Sequence, residues 1–254
     1  MLLVIDVGNT NIVVGAFEGD TLVKNWRIST DYKKSSDEIG MTLSFLLSHN
    51  NIDTKKIDDV IISSVVPQMM FSLERAVKRY IGTEPIVISA DMKTGINNLY
   101  DNPREVGADR IVNAVAVRHL YPGDAIIIDF GTATTFCALT KDGDYLGGII
   151  CPGIKISLDA LIERTAKLPK IEIIKPKSVI GKNTIESMQS GMIYGYAGQI
   201  ENIVSLMKKQ LGEDTQVIAT GGIASLISQV TDSIDILDSQ LTLKGLKILY
   251  DMNK

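Results

Sequence analysis

The fold is decided by the stretch LLVIDVGNT at residues 2–10, in which an apolar run delivers an aspartate into a turn of glycine and polar side chains. The arrangement returns as AIIIDFGTATT at residues 125–135, so that Asp6 and Asp129 stand 123 residues apart. Glycine lets a backbone approach a phosphate closely, and such a turn supplies N–H and O–H donors. Two copies predict two similar halves that face each other across a nucleotide cleft. The alternative is two chance strand–turn units, and the matched apolar runs before both aspartates argue against it.

The composition is that of an ordinary globular protein. The chain has 254 residues, of which 45% are hydrophobic and 22% charged, enough for one large or two medium domains. The net charge of −4 comes without a basic tract, so no nucleic-acid partner is expected. No apolar run is long enough to span a bilayer, and no cationic leader precedes the first strand. With Cys137 and Cys151 read as buried free thiols, these features predict a cytoplasmic protein without a membrane partner.

Both halves predict the same order of elements, three strands followed by alternating helices and strands. The first half predicts strands at 2–7, 11–17 and 21–28, a helix at 36–48, a strand at 60–62, a helix from Pro67 and a strand at 85–88. The second predicts strands near 124–129, 133–139 and 144–150, a helix after Gly153, a helix from about Thr184 to Leu211, a strand at 216–219 and a helix near 241–250. Residues 169–182 read as a surface loop. The predicted domains are residues 1–122 and 123–254.

The turn from Asp6 to Asn11 is a candidate phosphate site. A bare carboxylate is a poor phosphate ligand because like charges repel, so Asp6 fits only if Mg²⁺ or its waters bridge the two. The stretch is not a Walker A loop, since the lysine and spacing of that motif are absent. The alternative is a β-turn with a capping aspartate.

The segment from Tyr100 to Arg110 is a candidate for binding an acceptor substrate. Asp109 and Arg110 open a helix predicted over residues 111–120, and a carboxylate there is commonly a helix cap. Two features favour chemistry instead: the arginine could hold a phosphate or carboxylate, and Tyr100 lies on a loop that could close a small-molecule pocket. Phosphoryl transfer commonly uses a positioned aspartate as base. Both interpretations of Asp109 stay open.

Two glycine pairs give weaker signals. Gly147 and Gly148 interrupt a strand pattern, which indicates close backbone approach or a bulge. The stretch Thr220–Gly222 ends a strand where an adenine or ribose could lie against backbone, with a tight turn as the alternative for both pairs. His49 and His119 have no partner at metal-ligand spacing, so neither is expected to bind metal or act as a base.

Five motifs, in order, resemble those of the type III pantothenate kinases. They are DVGNTN at 6–11, YDNP at 100–103, GADR at 107–110, DFGTATT at 129–135 and GGIICPG at 147–153. The first and fourth are similar to the phosphate-1 and phosphate-2 motifs of the acetate kinase/sugar kinase/Hsp70/actin superfamily, and residues 220–222 to its adenosine motif. The resemblance covers the whole chain. It implies an α/β fold of duplicated actin-like, ribonuclease H-like domains, each with a mixed β-sheet flanked by helices.

The resemblance also implies an activity and a set of site residues. The activity is ATP-dependent phosphorylation of pantothenate to 4′-phosphopantothenate, the first step of coenzyme A biosynthesis, with Mg-ATP in the interdomain cleft. The residues implied for ATP are Asp6, Val7, Gly8, Asn9, Thr10, Asn11, Ile12, Val13 and Thr132, with Asp6 supporting Mg²⁺ directly or through water. Those implied for pantothenate are Tyr100, Gly107, Ala108, Asp109, Arg110 and Thr184, with Asp109 as general base. Asp129 is implied as a ligand of a monovalent cation, K⁺ or NH₄⁺.

A homodimer is expected as well. The helix predicted over 184–211 is long for a globular domain, and its apolar residues are more than one narrow face needs. These residues are Met188, Met192, Ile193, Ile200, Ile203, Val204 and Met207. The resemblance implies a dimer with the pantothenate pocket near the interface, where Thr184 would lie.

Three other functions are compatible with parts of the pattern. Some proteins similar to this family were first regarded as accessory factors for virulence gene expression, and loss of Asp109 or Asp129 would favour that role, but both are present. A kinase for another small hydroxy-compound, such as a sugar, would share the phosphate motifs. A nucleotide-switched assembly protein is disfavoured by the short chain.

Overall fold

The computed structural model describes residues 1–89 and 91–254 and separates into two compact units. The first comprises residues 1–96, 101–119 and 241–254, and the second residues 97–100 and 120–240. Packing therefore departs from chain order, because the last 14 residues join the first unit. The division at residues 122 and 123 stays a prediction about the duplicated halves.

The first unit is built on a five-stranded sheet with the order β3-β2-β1-β4-β5. Its strands are β1 (Leu2–Val7), β2 (Asn11–Glu18), β3 (Thr21–Ser29), β4 (Asp59–Ser64) and β5 (Pro85–Val87). Its helices are α1 (Ser36–His49), α2 (Pro67–Ala76), α3 (Ala108–Leu120) and α7 (Leu241–Asn253). The central strand β1 runs antiparallel to β2 and parallel to β4. The predicted β-β-β-α-β-α-β order is confirmed.

Different helices cover the two faces of this sheet. Successive side chains of a strand point to opposite faces. Leu3, Ile5 and Val7 of β1 pack with α1 and α2, whereas Leu2 and Val4 pack with α3 and α7. A strand buried on both faces reads as a continuous apolar run, which is the pattern at residues 2–5. By the same alternation Asp6 belongs to the face that α3 and α7 cover.

The second unit repeats this sheet. Its strands are β6 (Asn97–Asn98), β7 (Ala125–Phe130), β8 (Ala133–Leu139), β9 (Asp144–Pro152), β10 (Gln216–Gly221) and β11 (Ile236–Leu237). Its helices are α4 (Ile154–Glu163), α5 (Thr184–Leu211) and α6 (Ala224–Ile227). The sheet order β9-β8-β7-β10-β11 matches β3-β2-β1-β4-β5 position for position, with β6 added beside β9. The predicted duplication of a mixed sheet flanked by helices is confirmed.

Some features of the second half differ from the sequence expectations. Cys151 is only half-buried, because it lies near the exposed end of β9, although it is a free thiol as expected. Of the apolar residues named for α5, Ile193, Ile200 and Val204 are core residues of its own unit, and Met192 and Ile203 pack against that core. Ile185 and Leu206 of the same helix are about half exposed. The residues that pack within the unit therefore give no support to a dimer through α5, and the homodimer stays a prediction. In the described part of the chain, no helix is long and apolar enough to cross a membrane.

The crossing of α7 over α3 depends on Gly245, and this generates a stability prediction. A Cβ at Gly245 would collide with the carbonyl oxygen of Val112 and would lie 2.8 Å from its Cγ1. We expect Gly245→Ala to lower the free energy of unfolding by about 1–3 kcal/mol, since backbone cannot move aside cheaply. Gly198→Ala is the matched control, because a Cβ there meets nothing within 4 Å. It should stabilise α5 by about 0.5–1 kcal/mol. Urea unfolding measures both, and equal stability of the two variants would contradict the close crossing.

Candidate active site

The turn between β1 and β2 is held in place by the end of β3. The Gly8 N–H donates to the carbonyl oxygen of Asn11 at 3.0 Å. Thr30 donates its hydroxyl to the Gly8 carbonyl at 2.6 Å and its N–H to the Thr10 carbonyl at 3.0 Å. Asn9 and Thr10 stay exposed. The backbone of the turn is thus fixed by the fold, while two polar side chains face outward where a phosphate could reach them.

The equivalent turn between β7 and β8 is one residue shorter and is pressed against the start of α4. The Gly153 N–H donates to the Thr132 carbonyl at 3.0 Å. A Cβ at Gly153 would collide with that carbonyl and would lie 2.7 Å from the Gly131 carbonyl. Gly221, at the end of β10, has a φ of +97°, and a Cβ there would lie 2.6 Å from backbone atoms of Phe130. Glycine at positions 153 and 221 therefore allows backbone to close around the end of β7. The expectation that an adenine or ribose lies against residues 220–222 stays a prediction.

Asp109 lies in the first turn of α3 with its carboxylate folded back toward Gly107. Its Oδ1 accepts the Arg110 N–H at 2.8 Å. A Cβ at Gly107 would lie only 2.5 Å from that oxygen, so glycine leaves the space that the carboxylate occupies. The bond goes to the next residue in the chain, whereas a capping side chain accepts the N–H two or three residues further on, so the contact does not by itself make Asp109 a cap. Both predicted roles, cap and base, stay open.

The start of α3 lies at the carboxyl ends of β1 and β4. A Cβ at Gly107 would be 3.4 Å from Cγ1 of Val65, which directly follows β4. The Val65 N–H in turn donates to the Val7 carbonyl at 3.1 Å, at the end of β1. Because β1 and β4 are parallel, their carboxyl ends share one edge of the sheet. The structure therefore brings Asp6 and Asp109 to the same edge, on the face that α3 covers.

Burial sets the electrostatics of Asp109. It raises the pKa of this carboxyl above its ordinary value, while the Arg110 N–H and the charge of the Arg110 guanidinium act in the opposite direction. Arg110 itself is buried. A carboxylate with a raised pKa accepts a proton more readily, which suits a general base.

Tyr100 belongs to the second unit, at the end of a segment carried by β6. The Leu99 N–H donates to the Tyr145 carbonyl at 3.0 Å. The Tyr100 ring lies 6.4 Å from the Tyr145 ring between centroids, and a Cβ at Gly147 would be 3.6 Å from it. The register of β9 against β8 shifts beside Gly147, between Ala138 and Leu139. The predicted bulge at the glycine pair is confirmed, and it lies next to Tyr100.

Thr184 begins α5 and lines an open groove. Asn183 caps the helix by accepting the Glu186 N–H at 2.9 Å. The groove has a volume of about 590 Å³ and includes Thr184, Lys182, Ser187 and Met192 among its lining residues. Both polar and apolar side chains line the groove.

The predicted site residues fall into two groups. Residues 6–13 and 107–110 lie in the first unit, and Tyr100, Asp129, Thr132 and Thr184 lie in the second. Val7 and Ile12 are core residues, so only their backbone could contact a nucleotide. The sequence interpretation did not find Ser63, which pairs with Asp6 across β1 and β4. Its only signal was a polar residue directly after the apolar run of β4.

The donor groups fit a metal that is held mainly by a nucleotide. Among the residues that the structure describes, no cluster of three or more His, Cys, Asp or Glu could hold a metal ion. Mg²⁺ bound with ATP needs only one or two carboxylates, because phosphates and water supply the other ligands. Asp6 meets this requirement, and the buried Ser63 hydroxyl beside it has no hydrogen-bond partner within the described chain. Asp129 likewise pairs with Thr220, so a carboxylate and a hydroxyl lie on neighbouring strands in the second unit as well.

Comparison with known proteins gives one family match and several structures of similar fold. The family model for type III pantothenate kinase matches residues 2–206. A Campylobacter jejuni structure described as a Baf family transcriptional activator is similar with a TM-score of 0.62 and 19% identity, over 99% of this chain and 98% of that one. A Sinorhizobium meliloti structure described as a 2-dehydro-3-deoxygalactonokinase gives 0.57 and 11%, over 98% and 96%. Component A of the (R)-2-hydroxyglutaryl-CoA dehydratase of Acidaminococcus fermentans gives 0.52 and 12%, over 100% and 99%. At such identities these structures show the fold alone, and they confirm the actin-like, sugar-kinase-like class.

The raised pKa of Asp109 predicts how stability depends on pH. A carboxyl whose pKa is higher in the folded state stabilises the protein when protonated and loses that contribution as pH rises through the folded-state pKa. Asp109→Asn should therefore be at least as stable as wild type at pH 7, since Asn can still accept the first-turn N–H. The advantage should shrink as the pH falls toward the ordinary aspartate range. Urea unfolding of both proteins from pH 7 downward tests this. A variant clearly less stable at pH 7 would mean that the carboxylate acts mainly as a cap.

Proposed function

Since the chain belongs to the type III pantothenate kinase family and is a kinase, we propose that it transfers the γ-phosphoryl group of ATP to the 4′-hydroxyl of pantothenate. The products are ADP and 4′-phosphopantothenate. The observation that carries the proposal is the family match over residues 2–206, which includes the residues implied for the phosphates of ATP, for pantothenate and for the cations, but not the adenosine motif at 220–222.

Asp109 is proposed as the base. It accepts the proton of the pantothenate 4′-hydroxyl while the oxygen of that hydroxyl bonds to the γ-phosphorus and ADP leaves. The support is its position at the sheet edge, its half-buried carboxylate and the raised pKa. Gly107 keeps the space for that carboxylate, and Arg110 supplies a buried positive charge beside it. Tyr100, Ala108 and Thr184 are proposed to bind pantothenate with these residues, by the resemblance alone.

The two glycine turns are proposed to hold the phosphates. Backbone N–H groups and the side chains of Asn9 and Thr10 would donate hydrogen bonds to the phosphate oxygens and stabilise their negative charge during transfer. Thr132 would contact ATP from the second turn. Mg²⁺ would be held by Asp6, and a monovalent cation, K⁺ or NH₄⁺, by Asp129. When bound, these cations neutralise phosphate charge. The turns themselves orient the nucleotide, because the fold fixes their backbones before ligand arrives.

The alternatives have less support. A kinase of another small hydroxy-compound would use the same turns, and only the choice of acceptor separates it from the proposal. A regulatory role has no observation of its own in this chain, because likeness to the Campylobacter jejuni structure at 19% identity shows the fold alone.

A homodimer is also proposed, supported by exposed apolar residues on β9 and α4 rather than on α5. Ile150 is 62% exposed, and Leu146, Ile149 and Ile156 are exposed as well. Among the described strands, β6 pairs with β9 only at Asp144 and Tyr145, so residues 146–152 form a free sheet edge. Long apolar edges are usually covered, since they invite pairing with other chains. A second copy of the chain would cover this one.

The activity is tested by product formation. Purified protein with ATP, Mg²⁺, K⁺ and pantothenate should form 4′-phosphopantothenate, measured by mass spectrometry. The rate should fall when NaCl replaces KCl at equal ionic strength, because Asp129 is expected to bind the larger cation. Equal rates in both salts, with NH₄⁺ excluded, would count against the cation site. A folded protein that forms no product above a no-enzyme control would sink the substrate assignment.

The catalytic arm of this assay uses Asp109→Asn. Removing a general base typically costs 10²–10⁴-fold in rate, so kcat should fall by roughly that factor. Asp142→Asn, at an exposed hairpin turn, is the matched control and should keep the wild-type rate. If Asp109→Asn stays within about threefold of wild type, the base lies elsewhere.

The dimer is tested by light scattering at micromolar concentration. Wild type should report about twice the 27.7 kDa of one chain. Ile150→Asp should report a monomer, because burying an unpaired carboxylate at an interface is costly. Leu237→Asp is the control, since that residue is 46% exposed on β11, at the opposite side of the same sheet. A monomeric wild type, or an Ile150→Asp dimer as tight as wild type, would contradict the proposed edge.

A further inference from the structure

Ser63 occupies a position that the assigned roles do not explain. It is the fifth residue of β4 and is fully buried. Its hydroxyl oxygen has no hydrogen-bond partner within the part of the chain that the structure describes. Buried hydroxyls are nearly always paired, because their lost bonds to water are otherwise uncompensated. An unpaired one in a native fold therefore calls for a reason, and binding is one of the few that apply.

The register of the sheet sets Ser63 directly beside Asp6. The two residues are partners across the parallel strands β1 and β4. Partners on neighbouring strands point to the same face with Cβ atoms roughly 5 Å apart, so the hydroxyl could reach the carboxylate after a change of side-chain rotamer, although the two are not hydrogen-bonded in this structure. Two positions earlier, Val4 and Ile61 pack in the core beneath α3 and α7. Ser63 and Asp6 thus share the face and the sheet edge to which α3 brings Asp109.

The second unit repeats the pairing. Thr220 is the parallel-strand partner of Asp129, in the same position that Ser63 holds toward Asp6. Thr220 is also buried. In both units a hydroxyl stands beside the aspartate that the proposed function assigns to a cation. Because the same pairing occurs in both units, the position of the hydroxyl is more simply explained by a role toward the aspartate than by chance in the packing of one unit.

We propose that Ser63 is a positioning residue for Asp6: its hydroxyl orients the Asp6 carboxylate for the divalent cation that accompanies ATP. The proposal rests on the proposed function, in which Asp6 serves Mg²⁺. Ser63 is too deeply buried to touch the nucleotide, so it acts through Asp6. Carboxylates that bind metals are commonly oriented by a further hydrogen bond, and loss of that partner typically weakens metal binding 10–100-fold.

The test compares two adjacent serines. Ser63→Ala removes an unpaired hydroxyl, so without nucleotide it should melt at or above the wild-type temperature. Ser64→Ala is the matched control: the Ser64 hydroxyl accepts the Val66 N–H at 3.0 Å, and its loss should lower the melting temperature. With ADP present, the Mg²⁺ concentration that gives half of the melting shift should rise about 10–100-fold in Ser63→Ala. In Ser64→Ala it should stay within about twofold of wild type.

A second background shows whether Ser63 acts through Asp6. In Asp6→Asn protein, adding Ser63→Ala should change the Mg²⁺ midpoint by no more than about twofold, since the carboxylate to be oriented is gone. An unchanged midpoint in the single Ser63→Ala variant would overturn the proposal. So would a fall in its melting temperature as large as that of Ser64→Ala, because the hydroxyl would then be bonded within the fold. Wild type that binds Mg-ADP yet phosphorylates no pantothenate would overturn the proposed function and leave this inference standing.

Discussion

The parallel pairing of β1 with β4 is the constraint on which the first half of the site depends. It sets Asp6 beside Ser63, and the Val65 N–H, one residue past the end of β4, donates to the carbonyl of Val7 at the end of β1. Gly107 then packs against Val65 and brings Asp109 to the same edge. A slip of one residue would turn Asp6 into the opposite core. That core, among α1 and α2, is apolar, and the cost of burying a carboxylate there fixes the register.

The site is where this unit departs from the rules that govern the rest of its core. The face beneath α3 and α7 is apolar at Val4, Ile61 and Val112, yet toward the carboxyl edge it takes in a carboxylate with a raised pKa and an unpaired hydroxyl. Each of these groups opposes folding to some degree. Both groups lie at one edge, and the rest of the face is packed in the ordinary way. This pattern is typical of a functional site, where a loss of folding free energy is offset by the well-packed remainder of the unit.

Sequence reasoning recovered the regular elements because their signals are local. The bounds of α5 follow from Asn183 at one end and Gly212 at the other, and the three-strand openings of both halves follow from apolar runs and turn residues. The two-residue strands β6 and β11 and the π-helical turn at Val77–Ile81 carry no periodicity and were not predicted. The number of apolar residues on α5 could not separate a core from an interface, because a helix can be covered on several sides within its own unit.

The candidate site divides in the same way. Residue types and turns were visible as motifs, but pantothenate, the cations and the role of Thr184 came only from resemblance. Ser63 could not be found, since one serine after an apolar run has no meaning until the strand beside it and the register are known. The position of a hydroxyl relative to Asp6 depends on the pairing of strands that lie far apart in the sequence.

The packing of α7 in the first unit has a consequence for the order of folding. Leu2 and Val4 share a core with Leu243, Leu246 and Leu249, so contacts that complete the first sheet join residues more than 230 positions apart. During synthesis from the N-terminus, one face of that sheet stays uncovered by α7 until residues 241–253 have emerged from the ribosome. The second unit has no such dependence, because its segments 97–100 and 120–240 are all made earlier. The later half of the molecule is thus able to mature before the earlier one, and the nascent first sheet is the part most exposed to aggregation or to chaperones.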